Sequence, residues 1–479
     1  MAERGRRGTR LAAGLASGAL ALAAAACGVT APAGSATTAA ATGTTAAATG
    51  VAAARTAADG DVVRWIDANA VRPARIDAEG PVDDLGALRR IVGGAKVVGL
   101  GEPSHGAHEQ VTVRHRVIRY LVERMGFRTV AWEESWGSGV AVDRYVVSGE
   151  GDAREVVSRM GFQWRGEAML GLVRWMREFN RGRPAHDRVR FVGADVMELR
   201  AIPFDEVTRY VRDVAPGRLA ELRRHLDPIA YRGTPEDHFR WYFGQSEEAR
   251  KGFAEDARAV VALVTSLPEG PSRIGREDAV RHARSILGFY ESYVERLEDV
   301  AAPVRDRHIA RILTEWQGRT GHRVAYGAAN VHTTASPRVT WRFPPDPVPK
   351  EDKTMAGGHL RAHYGRSYVS IGTVSHAGRI LGGWENGPPS VFTVPPPGPA
   401  LVDHTLGQAR HRDYLLDLRA KAPEPVRRWL RGPATMRIIG TAYDVARDAD
   451  YTMRVPSWSA GFDAVLHLAA TTPTRLLPR

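Results

Sequence analysis

Four apolar segments of this chain run directly into groups that can move protons or hold charge. Lys96–Leu100 leads to Gly101-Glu102-Pro103-Ser104-His105-Gly106, Thr129–Trp132 to Glu133, Val189–Ala194 to Asp195, and Val324–Ala329 to Asn330 and His332. Polar groups at the carboxyl ends of strands are where the chemistry of an open α/β sheet sits. Glu102 and His105 stand three residues apart on a turn before a helix. A carboxylate beside an imidazole raises its basicity and fixes its tautomer, as a general base requires. The plain alternative is a capped helix start with ordinary polar groups.

Other side chains fall in line with this turn. Glu133 closes a segment that reads as buried, where an unpaired carboxylate is costly; alternation sends Glu134 to the other face. Arg114, nine residues beyond His105, is either a fixed positive charge aimed at the cleft or a surface group. Trp164 and Glu167 precede a helix and can line the same mouth. Asp195 is read as a partner for a histidine or as a turn cap. His332 is the second imidazole, two residues after Asn330, which is read with Trp164, Glu167 and Asp195 as substrate-binding; His376 has a weaker claim.

The elements that must position these groups read as α/β wiring. Val111, Val117, Ile118, Leu121 and Val122 recur at helical spacing until Gly126, and a second helix spans Glu167 to Asn180. Helical crossovers imply a mostly parallel sheet flanked by helices. From about 200 to 318 the texture is helical, with Ser246–Leu267 and Arg276–Leu297 as amphipathic helices, and it reads as a large insertion. Its aromatics, among them Trp241, Tyr242, Phe243, Phe289, Tyr290 and Tyr293, suit core packing or a lid over an apolar substrate. Beyond His332 come a helix at Met355–His363, a strand at Tyr368–Thr373, a Pro/Gly-rich loop at 378–400, and strands near Met436–Ile439 and Ala464–Leu468.

The 479 residues, 43% hydrophobic, suffice for a sizeable core. Residues 1–27 read as a secretory signal: four Arg in the first ten residues, an apolar run from Leu11 to Ala26, then Cys27, the only cysteine. That run is shorter than the roughly 20 residues of a membrane span. Cys27 resembles the lipidated cysteine of bacterial lipoproteins, although Ala24 stands where such signals usually have Leu. Residues 28–58, nearly all Ala, Thr, Gly, Ser and Val, read as a flexible linker, and 59–479 as the folded domain. The expected location is extracytoplasmic, on the membrane through a lipid anchor, or else secreted. A single cysteine excludes internal disulfides and thiolate metal clusters. The net charge of +12 is read as a solvated basic surface, since no nucleic-acid motif accompanies it.

The strand-end motifs, with Arg114, Trp136, Trp164–Glu167, Met355–Tyr368, Met436–Tyr443 and Phe462–Val465, resemble the erythromycin esterase family over roughly residues 86–478. The resemblance implies an α/β sheet with a helical insertion and metal-free, cofactor-free hydrolysis of a small-molecule ester such as a macrolide lactone. It implies His105 as general base, Glu102 and Glu133 as orienting or polarising groups, and Arg114 and His332 as steadying charge on the carbonyl oxygen. There is one departure: family members often carry His three residues before the position of His332, where this chain has Ala329. Two other readings stand beside it. Glu102, His105, Glu133 and His332 can be read as ligands of a metal-dependent hydrolase, and Ala329 motivates a non-catalytic envelope lipoprotein that binds an apolar small molecule.

Overall fold

The computed structural model describes residues 60–73, 75–295, 298–344, 350–383 and 388–478. The expected signal peptide, Cys27 and the linker lie outside them. Among the described residues no helix is long and apolar enough to cross a membrane.

The protein is built on a mixed, mostly parallel sheet flanked by helices. Its strands are β1 (Val97–Glu102), β2 (Phe127–Ser135), β3 (Arg190–Asp195), β4 (Arg323–Ala329), β7 (Tyr368–Gly382), β9 (Tyr414–Asp417) and β12 (Ala464–Thr471), in the order β3-β2-β4-β1-β7-β12-β9. All neighbours pair in parallel except β12 and β9, and β8 (Ser390–Val394) pairs antiparallel with β7. Long crossovers, helical in β1–β2, β2–β3 and β3–β4, return the chain for each parallel pairing. β1 is buried throughout, the pattern of a strand covered on both faces. A second, antiparallel sheet in the order β10-β11-β5-β6 joins β5 (Val339–Arg342), β6 (Lys350–Lys353), β10 (Ala434–Arg437) and β11 (Thr452–Val455).

The helix after β1, His108–Met125, ends at Gly126, whose φ of 73° places it in the left-handed region that closes helices. Its buried stripe contains Val117 and Leu121, and Gln110 and Arg114 lie on the same line at helical spacing. Arg114 is therefore carried under the sheet rather than to the surface. The helix Glu167–Asn180 occurs as the periodicity predicts.

The stretch read as an insertion has two parts. Helices Ala201–Val214, Leu219–Leu226, Pro235–Phe243, Glu247–Ser266 and Arg276–Ser292 enclose a core of their own, with Tyr210, Tyr242, Phe289 and Tyr290 buried. The aromatics supply this core, where truncating Phe289 to Ala should cost about 3–5 kcal/mol. The helix Glu298–Thr320 instead packs on the sheet: Ile309, Leu313 and Trp316 join Val97, Val324 and Tyr326. One expectation is corrected. The segment 378–400 is not all loop, because β7 runs on to Gly382 and the β-prone Ser390-Val-Phe-Thr-Val pairs back onto it.

Candidate active site

Glu102 ends β1 with no exposed surface. Its Oε2 accepts a hydrogen bond from Arg114 Nη2, and its Oε1 lies 2.9 Å from His105 Nδ1. A carboxylate paired with a guanidinium only accepts, so Nδ1 carries the proton and Nε2 is the free basic atom. Burial alone would lower the His105 pKa; the Glu102 hydrogen bond and the charge of Glu133 outweigh it and hold the group above its ordinary value. Trp164 meets the His105 ring edge-on at 5.3 Å and donates its indole N–H to the Glu133 carbonyl at 2.6 Å.

Glu133 is the centre of a second set. Its Oε2 accepts the Ala329 N–H at 2.8 Å; its Oε1 lies 2.9 Å from Arg305 Nη2 and 3.4 Å from His332 Nε2. Burial would raise its pKa, but His332, His105 and Arg305 together bring it down to about 2. His332 Nδ1 lies 2.9 Å from Asp306 Oδ1, which also accepts the Ala356 N–H at 2.6 Å. Burial lowers the His332 pKa, and Asp306 and Glu133 more than reverse it. Arg305 also donates to Asp195, with Nε at 2.8 Å from Oδ1.

The carboxyl ends of β1, β2 and β4 thus bring Glu102, His105, Glu133 and His332 together, each close enough to bias a neighbour's proton. Other expected residues sit elsewhere. Arg114 has no exposed surface; it lies behind Glu102 with its guanidinium 4.4 Å from the Trp132 ring, so its contact is with Glu102 and not with a bound molecule. Asp195 holds Arg305 and caps the N–H groups of Val196 and Met197. Asn330 gives its amide to both backbone groups of Thr373, at 2.7 and 3.1 Å, tying β4 to β7. Its seat depends on Gly101: a Cβ there would come within 2.2 Å of Asn330 Oδ1. Glu167 is exposed at the start of its helix, with its N–H on the Arg475 carbonyl. Glu134 turns away from the site toward Ser135 and the Gly161 N–H, and burial pushes its pKa up to about 7.

Arg305 and Asp306 are absent from the sequence reading, because two charges on a helix ordinarily belong to its solvated face. The available signal was spacing: Asp306 falls in register with Ile309, Leu313 and Trp316 and is fully buried.

Residues 472–477 cross the front of this assembly. The Thr472 carbonyl accepts from His108 N, Thr474 N donates to the Gly106 carbonyl, Arg475 O accepts from Glu167 N, and Leu477 N donates to Arg165 O, each at 2.9 Å. The turn after His105 is thereby joined to the turn after Trp164.

Among the described residues, no group of three or more His, Cys, Asp or Glu is arranged to hold a metal ion. The carboxylates that a metal would use here already accept from Arg114, Arg305 and backbone N–H groups.

The family model described as Erythromycin esterase matches residues 122–471. An erythromycin esterase type II from Escherichia coli is 32% identical over 114 residues, 24% of this chain and 26% of that protein. A Bacillus subtilis protein named as a hydrolase is 22% identical over 336 residues, 66% of this chain and 73% of its own length. Two solved structures share the fold: a Bacillus cereus protein (TM-score 0.74, 23% identity, 88% of this chain and 99% of that one) and an erythromycin esterase mutant in its open conformation (TM-score 0.62, 18% identity, 84% and 97%).

Proposed function

The chain belongs to the erythromycin esterase family, and on that premise we propose that it is a hydrolase that cleaves a carboxylic ester with water, without a metal. The observation that carries this reading is the pair of imidazole–carboxylate dyads, His105 with Glu102 and His332 with Asp306, converging on Glu133 and Arg305 at one rim of the sheet.

His105 Nε2 takes a proton from water as the oxygen attacks the ester carbonyl carbon. The tetrahedral oxyanion gathers charge beside Arg305 and His332, whose positions are fixed by Glu133, Asp195 and Asp306. Such preorganised donors contribute most where water is excluded. The carbon–oxygen bond then breaks, and the proton held on His105 passes to the departing alkoxide. Arg114 acts from behind, its guanidinium holding the Glu102 carboxylate in place.

The names of the family and of its relatives make macrolide lactones the first substrates to assay, alongside simple aryl esters. The test is turnover of both classes by the purified chain and by His105→Ala, with and without chelator. Hydrolysis that survives His105→Ala would remove the proposal; lasting loss with chelator, restored by metal, would favour the metal-dependent reading. We also propose extracytoplasmic tethering through Cys27, supported by the residue pattern of 1–58. Labelled palmitate should be incorporated by the parent chain and not by Cys27→Ala.

A further inference from the structure

The outer edge of the sheet borders a cavity that contains none of the residues discussed above as catalytic. Among the described residues β3 pairs with β2 on one side only. Along its other side, between the helices Trp136–Ser148 and Arg276–Ser292 and the end of Glu298–Thr320, lies a hollow of about 230 Å³. Drug-sized ligand sites usually measure about 300–1,000 Å³, so an occupant of this one is small.

The walls are of two kinds. Trp136, Val140, Val192, Ile274 and Trp316 give an apolar interior. Around them stand four guanidiniums, Arg144, Arg190, Arg273 and Arg319, against two carboxylates, Asp143 and Asp278. Arg190 is closely paired with Asp143 at 2.6 Å and Arg144 with Glu206 at 2.5 Å. The other two are loosely held: Arg319 reaches Asp278 only at 3.5 Å and Arg273 reaches Glu150 only at 3.7 Å. Arg190 and Arg319 both lie over the Trp316 ring, at 5.3 and 5.1 Å.

The cavity also holds a neutral donor. Trp136 Nε1 donates to His282 Nδ1 at 3.1 Å, so the proton of the neutral ring sits on Nε2. Burial keeps the His282 pKa down at about 4, and the ring stays uncharged at neutral pH. Guanidiniums with unfilled donor capacity, an imidazole N–H and an aromatic interior are complementary to one ligand chemistry: an oxyanion on a compact apolar body.

We propose that this cavity binds a small amphiphilic oxyanion, an aromatic or alicyclic carboxylate or phosphate, at a place separate from the candidate active site. The proposal does not depend on the esterase reading, since it is tested by binding without turnover.

The probes are 1-naphthoate, 1-naphthyl phosphate and the uncharged 1-naphthalenemethanol, titrated calorimetrically into the purified chain. At least one anion should bind, and the alcohol should bind about tenfold or more weaker, the loss expected for a charge-assisted hydrogen bond. Naphthoate tighter than naphthyl phosphate identifies a carboxylate site, and the reverse order a phosphate site. Arg319→Gln should weaken the anion by a similar factor, and Val140→Trp, which fills the interior, should abolish binding. His105→Ala should bind as the parent does. Equal affinity for anion and alcohol, wild-type affinity in Arg319→Gln, or no binding up to millimolar concentration would each overturn the proposal. Loss of binding in His105→Ala would do so too, by placing the probe in the other site. Should Val140→Trp not fold, Arg319→Gln decides.

Discussion

Asp306 Oδ1 sits 2.9 Å from His332 Nδ1, so the imidazole at the end of β4 is oriented by a helix that precedes its strand. Asp306→Asn removes the carboxylate charge and leaves one acceptor oxygen where His332 Nδ1 and the Ala356 N–H now share two. The variant should fold, and its kcat should fall by up to about 10²-fold, the range seen when a donor to the oxyanion is lost or misplaced. Unchanged kcat would make the dyad structural only.

The pH profile follows from Glu102. His105 must be neutral to act as a base, and its pKa is raised, so the acid limb of kcat/KM should lie above the ordinary imidazole value of about 6.5. Glu102→Gln should move that limb to lower pH while reducing the rate. The sign for stability is the opposite: a raised folded pKa stabilises fully below the unfolded value and is lost as pH rises through the folded one. Denaturant midpoints measured from pH 5 to 9 should show this contribution diminish with rising pH, and more weakly in Glu102→Gln.

Arg305 neutralises two buried carboxylates, Glu133 and Asp195, whose side chains are 3% and 1% exposed. Arg305→Met keeps the length of the side chain and removes the charge. Breaking a buried ion pair from one side costs about 3–5 kcal/mol, which urea unfolding at pH 7 would register. Kinetically, Arg305→Lys should recover stability better than activity, because one ammonium cannot reproduce the fork that holds both carboxylates.

Asn330 separates position from participation. Its amide satisfies both backbone groups of Thr373, so Asn330→Ala should destabilise by about 1–3 kcal/mol for each partner left unpaired. KM for an ester should stay near that of the parent at temperatures where the variant is folded. A large rise in KM would restore Asn330 as a substrate-binding residue.

The strand-end groups were legible in the sequence because an apolar run that stops at a carboxylate has few physical explanations: Glu102 ends β1, Glu133 lies two residues before the end of β2, and His332 three residues after the end of β4, where the topology gathers them. Arg305 and Asp306 were not, since an Arg-Asp-Arg run on a helix reads as a solvated face and the one signal, the register of Asp306 with Ile309, Leu313 and Trp316, is carried by a single polar residue. Arg114 was legible as a member and not in its role, because helical spacing gave its face but not the Glu102 carboxylate in front of it. Of the second sheet's four-residue strands, the sequence reading placed one near Met436–Ile439, overlapping β10; the other three are too brief for alternation to announce them.

The clasp formed by residues 472–477 makes order of synthesis matter. A nascent chain stopped before Thr472 already carries every acid, base and guanidinium named here, yet the turns after His105 and Trp164 have nothing to fasten them to each other. Chemical competence should therefore arrive only once residues 472–477 are made, and a chain truncated before Thr472 should lose activity toward esters the parent cleaves.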